Sequence, residues 1–140
     1  MLATDGAIMS WCERHRVSLT TDTTSGVTAY TTGAGITGRI QTLIYTAGTA
    51  AFSTTCDLTI STVNTSQVIY STTGLDASEV ISPRMPTHNT TGGVLAGSTA
   101  AAAGSLSGFS DYIYLHNDQV KVTVVNAGTS KNGTVDVIIS

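Results

Sequence analysis

Apolar and polar residues alternate with a period of two along most of this chain. That spacing places successive side chains on opposite faces of an extended strand. In Arg16-Val17-Ser18-Leu19-Thr20, Val17 and Leu19 share one face, and this run reads as a first strand. Thr21 to Gly26 is a turn cluster, and Val27 to Thr31 reads as a second strand that ends at Gly33-Ala34-Gly35. Ile36 to Thr46 is the longest extended run. Strict alternation puts Ile36, Gly38, Ile40, Thr42 and Ile44 on one face and Arg39, Gln41, Leu43 and Tyr45 on the other. Because both faces are partly apolar, a central place in a sheet is expected.

Cys56 to Ser61 alternates cleanly, with Cys56, Leu58 and Ile60 directed to a core. Val68-Ile69-Tyr70 and Val80-Ile81 are short strands either side of the Thr72-Thr73-Gly74 turn. From Ser82 to about Ser110, Pro83, Pro86, repeated Gly and a run of small residues predict one long irregular loop. Tyr112 to Leu115 is read as a strand. Val120 to Val125 and Thr134 to Ile139 are read as a closing hairpin around Asn126 to Gly133, with the last strand offering an open edge. About eight strands separated by turn signals predict an all-β antiparallel β-sandwich or jelly roll. The domain is expected over residues 16–140, preceded by an N-terminal arm over residues 1–15. Met9 offers an alternative start.

Composition supports this reading. Thr and Ser make up about 30% of the chain and charged residues only 11%, against about 25% charged in an average globular domain. Thr is β-branched and suits a half-wet pleated surface. A formal charge of −3 with six basic residues argues against nucleic-acid binding, which depends on Lys and Arg displacing counterions from phosphates. No apolar run is long enough to span a bilayer, so no membrane partner is expected. Met1-Leu2-Ala3-Thr4-Asp5-Gly6 lacks the basic start and apolar run of a secretory signal, which predicts folding in the cytoplasm where the chain is made.

Candidate chemistry is sparse, and no catalytic residue, cofactor or metal site is predicted. Cys12 and His15 make half of a metal site without a second close pair. Cys56 reads as a core thiol rather than a disulfide partner. Gly104-Ser105-Leu106-Ser107-Gly108 places Leu where a nucleophile would stand, and His88 lies in a proline loop where bracing is the simpler role. Gly33 to Gly38 has the letters of a dinucleotide loop without a following helix. Asp57, Asp111, Asp118 and Asp136 show no spacing that brings two carboxylates to one cleft. The sequon matches at Asn64, Asn89 and Asn132 mark loops.

The chain resembles small structural proteins of tailed-bacteriophage particles, of the kind that decorate or cement the capsid. The resemblance lies in Gly38-Arg39-Ile40 leading into a long strand, Cys56 to Ile60, the Pro83-Arg84-Met85-Pro86-Thr87 loop, Val120 to Val125 and Gly133 to Ile139. It spans most of the chain from about residue 16. It implies assembly in the host cytoplasm and location in the virion. It also implies a major capsid protein or other virion proteins as partners, and a dimer or trimer of the chain itself. Tail, collar or head-closure parts are the alternative within a virion.

Contact residues are expected in the loop, at Arg84, Met85, Pro86 and His88, with Arg84 as anchor because its planar guanidinium binds carboxylates or carbonyls in fixed geometry. Trp11, Arg14 and Arg16 are a second candidate group, carried on the N-terminal arm. Outside virions, Tyr112 and Tyr114 share one strand face and suggest the aromatic platform of a carbohydrate-binding β-sandwich module.

Overall fold

The computed structural model describes residues 11–22, 28–33, 35–88, 90–92 and 110–140. The described residues are all-β and antiparallel, as the alternation predicts. The strands are β1 (Glu13–Thr20), β2 (Thr28–Thr31), β3 (Ile36–Ala47), β4 (Asp57–Thr62), β5 (Val68–Thr73) and β6 (Glu79–Ile81). They continue with β7 (Met85–Pro86), β8 (Ser110–Asp111), β9 (Tyr114–Asp118), β10 (Val120–Val125) and β11 (Asn132–Ile139). One sheet runs β1-β11-β3-β6, with β9 also paired to β3, and the facing sheet runs β2-β10-β4-β5. The count exceeds the expected eight largely through the two-residue pair β7 and β8.

The sheets enclose one apolar core. Val17, Leu19, Leu43, Tyr45, Val135 and Val137 from the first sheet meet Leu58, Ile60, Val120, Val122 and Val124 from the second. Burying each such aliphatic side chain stabilises the fold by about 1.5–3 kcal/mol. Strands β4 and β10 carry the pattern most clearly. Leu58 and Ile60 lie opposite Val124 and Val122, all facing inward, while Thr59 and Thr123 pair on the outer face.

Several sequence expectations are corrected. Strands β10 and β11 do not form a hairpin: β10 pairs with β2 and β4, whereas β11 pairs with β1 and β3. The connection between them crosses from one sheet to the other. It is tied down by hydrogen bonds from Ser53 N to Ala127 O (2.9 Å) and from Thr21 Oγ1 to Gly128 O (2.6 Å). For the same reason Thr134 to Ile139 is no open edge, since it lies between two neighbours, and the edge strands of this order are β1 and β6.

Strand β3 is central, but its faces differ from strict alternation. Ile139 pairs with Ile40 and Ile138 with Thr42, which leaves Gln41 as an extra residue. A bulge of this kind reverses the phase of the side chains. Ile36 and Ile40 therefore face the core before it, and Leu43 and Tyr45 after it, while Thr42 and Ile44 turn outward. The first strand begins at Glu13, so residues 13–15 belong to the sheet rather than to an arm, and residues 1–10 lie outside the described residues. The strand expected over Tyr112 to Leu115 starts instead at Tyr114 and runs to Asp118 as β9, and Tyr112 and buried Ile113 lie between it and β8. The segment 82–110 is not wholly irregular, because Met85 and Pro86 pair with Asp111 and Ser110 at its base. Residues 93–109 lie outside the described residues.

Candidate interaction surface

The register of the first sheet fixes what stands on its outer face. Arg16, Asp136, Ile44 and Val80 form one row across β1, β11, β3 and β6, and Arg14, Ile138 and Thr42 form the next. Ser18, Thr134 and Thr46 complete a third, hydroxyl row. Arg39 lies on the same face of β3, ahead of the bulge. Arg84 follows β6 along the border of the sheet and donates from Nη1 to the carbonyls of Pro83 (2.7 Å) and Gln41 (3.4 Å).

All four arginines of the chain therefore gather on or beside one sheet face. The two lysines stand elsewhere, Lys121 on β10 of the other sheet and Lys131 in the crossing connection. Among the described residues, strand alternation puts one carboxylate, Asp136, on that face. Ile44 and Ile138 are half-buried there and Val80 is exposed.

The four arginines divide into two pairs. Arg16 holds both oxygens of Asp136 with Nε at 2.7 Å and Nη2 at 2.9 Å, and Arg14 approaches at 3.9 Å. Although Asp136 points outward, these side chains leave its carboxylate 4% exposed. The hydrogen bonds from Arg16 hold its pKa below the ordinary carboxylate value, against the opposing effect of burial. The reciprocal effect raises that of Arg16.

Arg39 and Arg84 share no carboxylate among the described residues. They share the ring of Tyr112 instead: the guanidinium carbon lies 4.0 Å from its centroid for Arg84 and 4.9 Å for Arg39. Arg39 is positioned by Gly38. With φ at +145° and Ile139 Cγ2 only 2.5 Å from where a Cβ would stand, this position needs glycine. The close approach lets Arg39 exchange backbone hydrogen bonds with Ser140, while Arg39 Nε donates to Ser140 Oγ at 3.0 Å.

Tyr112 also lines a shallow groove of about 280 Å³ with Met85, Pro86, His88, Asp111 and Tyr114. The loop residues expected at a contact surface are thus brought together, and Arg84 joins them through Tyr112. Asp111 Oδ1 accepts from the backbone N–H of Tyr112 (2.7 Å), which fixes the start of this wall. The second expected group is not on an arm. Arg14 and Arg16 belong to β1, and Trp11, 75% exposed, stands just before it. The tyrosines Tyr112 and Tyr114 do flank one groove, but Arg84 lies over the Tyr112 ring.

Strand β1 also presents backbone groups. Thr20 directs its N–H and C=O to the hydroxyl of Tyr30, away from β11. By strand alternation the N–H and C=O of Arg14, Arg16 and Ser18 face the same side of β1, along which no strand is paired among the described residues. Elsewhere, buried Asp118 accepts from the backbone N–H groups of Asn64 (2.9 Å), Gln119 (2.7 Å) and Val63 (3.2 Å), fixing the β4–β5 turn. The hydrogen bond from Asn64 leads in lowering its pKa.

Among the described residues no three metal-ligating side chains cluster, and no helix is long and apolar enough to cross a membrane. Cys12 is exposed and Cys56 buried, and both are free thiols. Sequence reasoning reached Arg84, Met85, Pro86 and His88 but missed Arg39, Ile44, Val80 and Ile138 as members of the surface. Comparison with protein-family models, curated proteins and solved structures finds no match to this chain.

Proposed function

We propose that the chain is a structural protein of a tailed-phage particle, a decoration or cement protein. It binds the outer capsid surface and stabilises the head as an oligomer, without catalysing a reaction. The observation that carries this reading is the gathering of all four arginines on or beside one sheet face of a chain whose formal charge is −3. Segregated charge of this kind orients a protein on a partner and speeds its encounter. Half-buried Ile44 and Ile138 on the central strands and exposed Val80 on the edge strand β6 supply apolar area on the same face. The side of β1 that no strand among the described residues covers suits pairing with a second copy. Weak contacts repeated over many copies then give firm attachment through avidity.

A carbohydrate-binding module is the second reading, favoured by Tyr112, Tyr114, His88 and Asp111 around one groove. It is weaker because stacking a sugar on Tyr112 must compete with the guanidinium of Arg84 already on that ring. The test is particle biochemistry. Mass spectrometry of purified particles should find the chain in many copies, and particles assembled without it should lose resistance to heat or low salt. Absence from particles, or unchanged resistance, would overturn the cement reading. A copy number of only a few per particle would move it to the tail, collar or head closure.

A further inference from the structure

We propose that Arg39 and Arg84, seated together on Tyr112, form a receptor for the acidic side chains of a loop on the partner protein. This deepens the docking reading above and rests on it. The two arginine pairs are chemically different. Arg14 and Arg16 have their counter-charge in Asp136 and are held within the chain's own ion-pair cluster. Arg39 and Arg84 bring two positive groups to one ring, and neither forms an ion pair with a carboxylate among the described residues, although Asp111 stands beside Tyr112 in the adjoining groove. Like charges so placed repel each other, and an incoming carboxylate relieves that repulsion.

Both guanidiniums are also held in place before any ligand arrives. Arg84 is stacked on the ring and pinned by the Pro83 and Gln41 carbonyls through Nη1, which leaves the Nε and Nη2 donors for a ligand. Arg39 spends Nε on Ser140 Oγ and keeps both terminal nitrogens. A planar fork fixed in this way matches a carboxylate with two parallel hydrogen bonds and loses little side-chain freedom on binding.

The surroundings favour a protein as the source of the carboxylates. Met85 and Pro86 line the adjoining groove and Ile44, Val80 and Ile138 lie on the adjoining sheet face, so the neighbouring surface is apolar rather than a continuous basic track. Nucleic acid would instead require a dense run of Lys and Arg along a phosphate backbone. Here both lysines are elsewhere, and two of the four arginines already have their carboxylate.

The experiment is a titration of the full chain, labelled with nitrogen-15, with a hexaglutamate peptide at low salt. It follows backbone and arginine Nε–Hε signals. The expected result is that Arg39, Arg84 and Tyr112 move together. Arg39→Gln and Arg84→Gln should each weaken the peptide by about tenfold, the worth of one charge-assisted pair. Lys121→Gln, which removes the same charge from the opposite sheet, should leave the affinity unchanged. Dispersed spectra of the variants show that each is folded. Arg84→Lys keeps the charge but not the fork and should recover only part of the loss.

The proposal is overturned if hexaglutamate leaves the Arg39 and Arg84 signals in place, or if Lys121→Gln weakens it equally. It is also overturned if inorganic phosphate or a short single-stranded oligonucleotide moves those signals more strongly than the peptide does. Peptide binding without attachment to particles would sink the virion reading and leave the carboxylate site standing. Attachment that survives the Arg39→Gln, Arg84→Gln double variant would do the reverse.

Discussion

Arg16 grips both carboxylate oxygens of Asp136 across the β1–β11 ladder, where the two residues stand directly opposite each other 120 positions apart in sequence. The pair ties the edge strand to the centre of the sheet and leaves the Asp136 carboxyl nearly sealed from water. It also makes the fold's stability depend on acid.

Asp136 and Asp118 both have pKa values lowered by folding, from an ordinary 3.8. Each binds its proton more weakly folded than unfolded, so acid favours the unfolded chain. Their contribution is present in full above the unfolded pKa and is lost as pH falls through the lower folded values. The melting temperature should drop steeply below about pH 4. Asp136→Asn should lower it at neutral pH and flatten that acid slope, as measured by thermal melts from pH 2 to 7. An unchanged slope would show that Arg16 does not hold the carboxylate in solution.

Tyr45 is buried in the core, stacked on Phe52 with ring centroids 5.6 Å apart, and its hydroxyl has no hydrogen-bond partner among the described residues. Burial, followed by the charges of Cys56 and Asp76, pushes its pKa up to about 12. Removing a buried hydroxyl without a partner costs nothing in lost bonding. Tyr45→Phe should leave stability unchanged or raise it by about 1 kcal/mol, whereas Tyr45→Ala should cost about 3–5 kcal/mol by opening a cavity. Urea unfolding midpoints check both.

Cys56 is fully buried, and burial with the neighbouring Asp57 pushes its thiol up to about 11, while Cys12 is exposed. A thiol held protonated and out of solvent does not react. A disulfide-exchange reagent at pH 8 should modify Cys12 in the native protein and reach Cys56 only in denaturant. Rapid modification of both would contradict the packing of β4.

The clean strands were legible because each alternates over its whole length. Cys56, Leu58 and Ile60 on and beside β4 are buried where alternation puts them, as are Val120, Val122 and Val124 on β10. Strand β3 misled because the bulge at Gln41 is a property of pairing with β11 and leaves no mark in the local pattern. The Asn126 to Gly133 turn signals announced a reversal of the chain but not that it would cross to the other sheet. The loop candidates were found by residue chemistry. Arg39 was not grouped with Arg84, because 45 positions separate them in sequence and Tyr112 brings them together only in the fold.

Gly38 holds Arg39 in place, with Ile139 Cγ2 at 2.5 Å and Ser140 O at 2.9 Å from where a Cβ would stand. Gly38→Ala combines that clash with an unfavourable backbone angle and should cost about 1–3 kcal/mol. It should also shift the Arg39 Nε–Hε signal, whereas Gly33→Ala, whose Cβ would meet nothing within 4 Å, should do neither.

The central claim is that the arginine-bearing face of the first sheet docks on an acidic surface of a virion. Co-sedimentation of the chain with particles assembled without it, across a series of salt concentrations, tests this most directly. Binding should weaken steadily as salt rises, and the Arg39→Glu, Arg84→Glu double variant should lose it while remaining folded. Attachment by that variant equal to that of the unaltered chain, with no dependence on salt, would contradict the account.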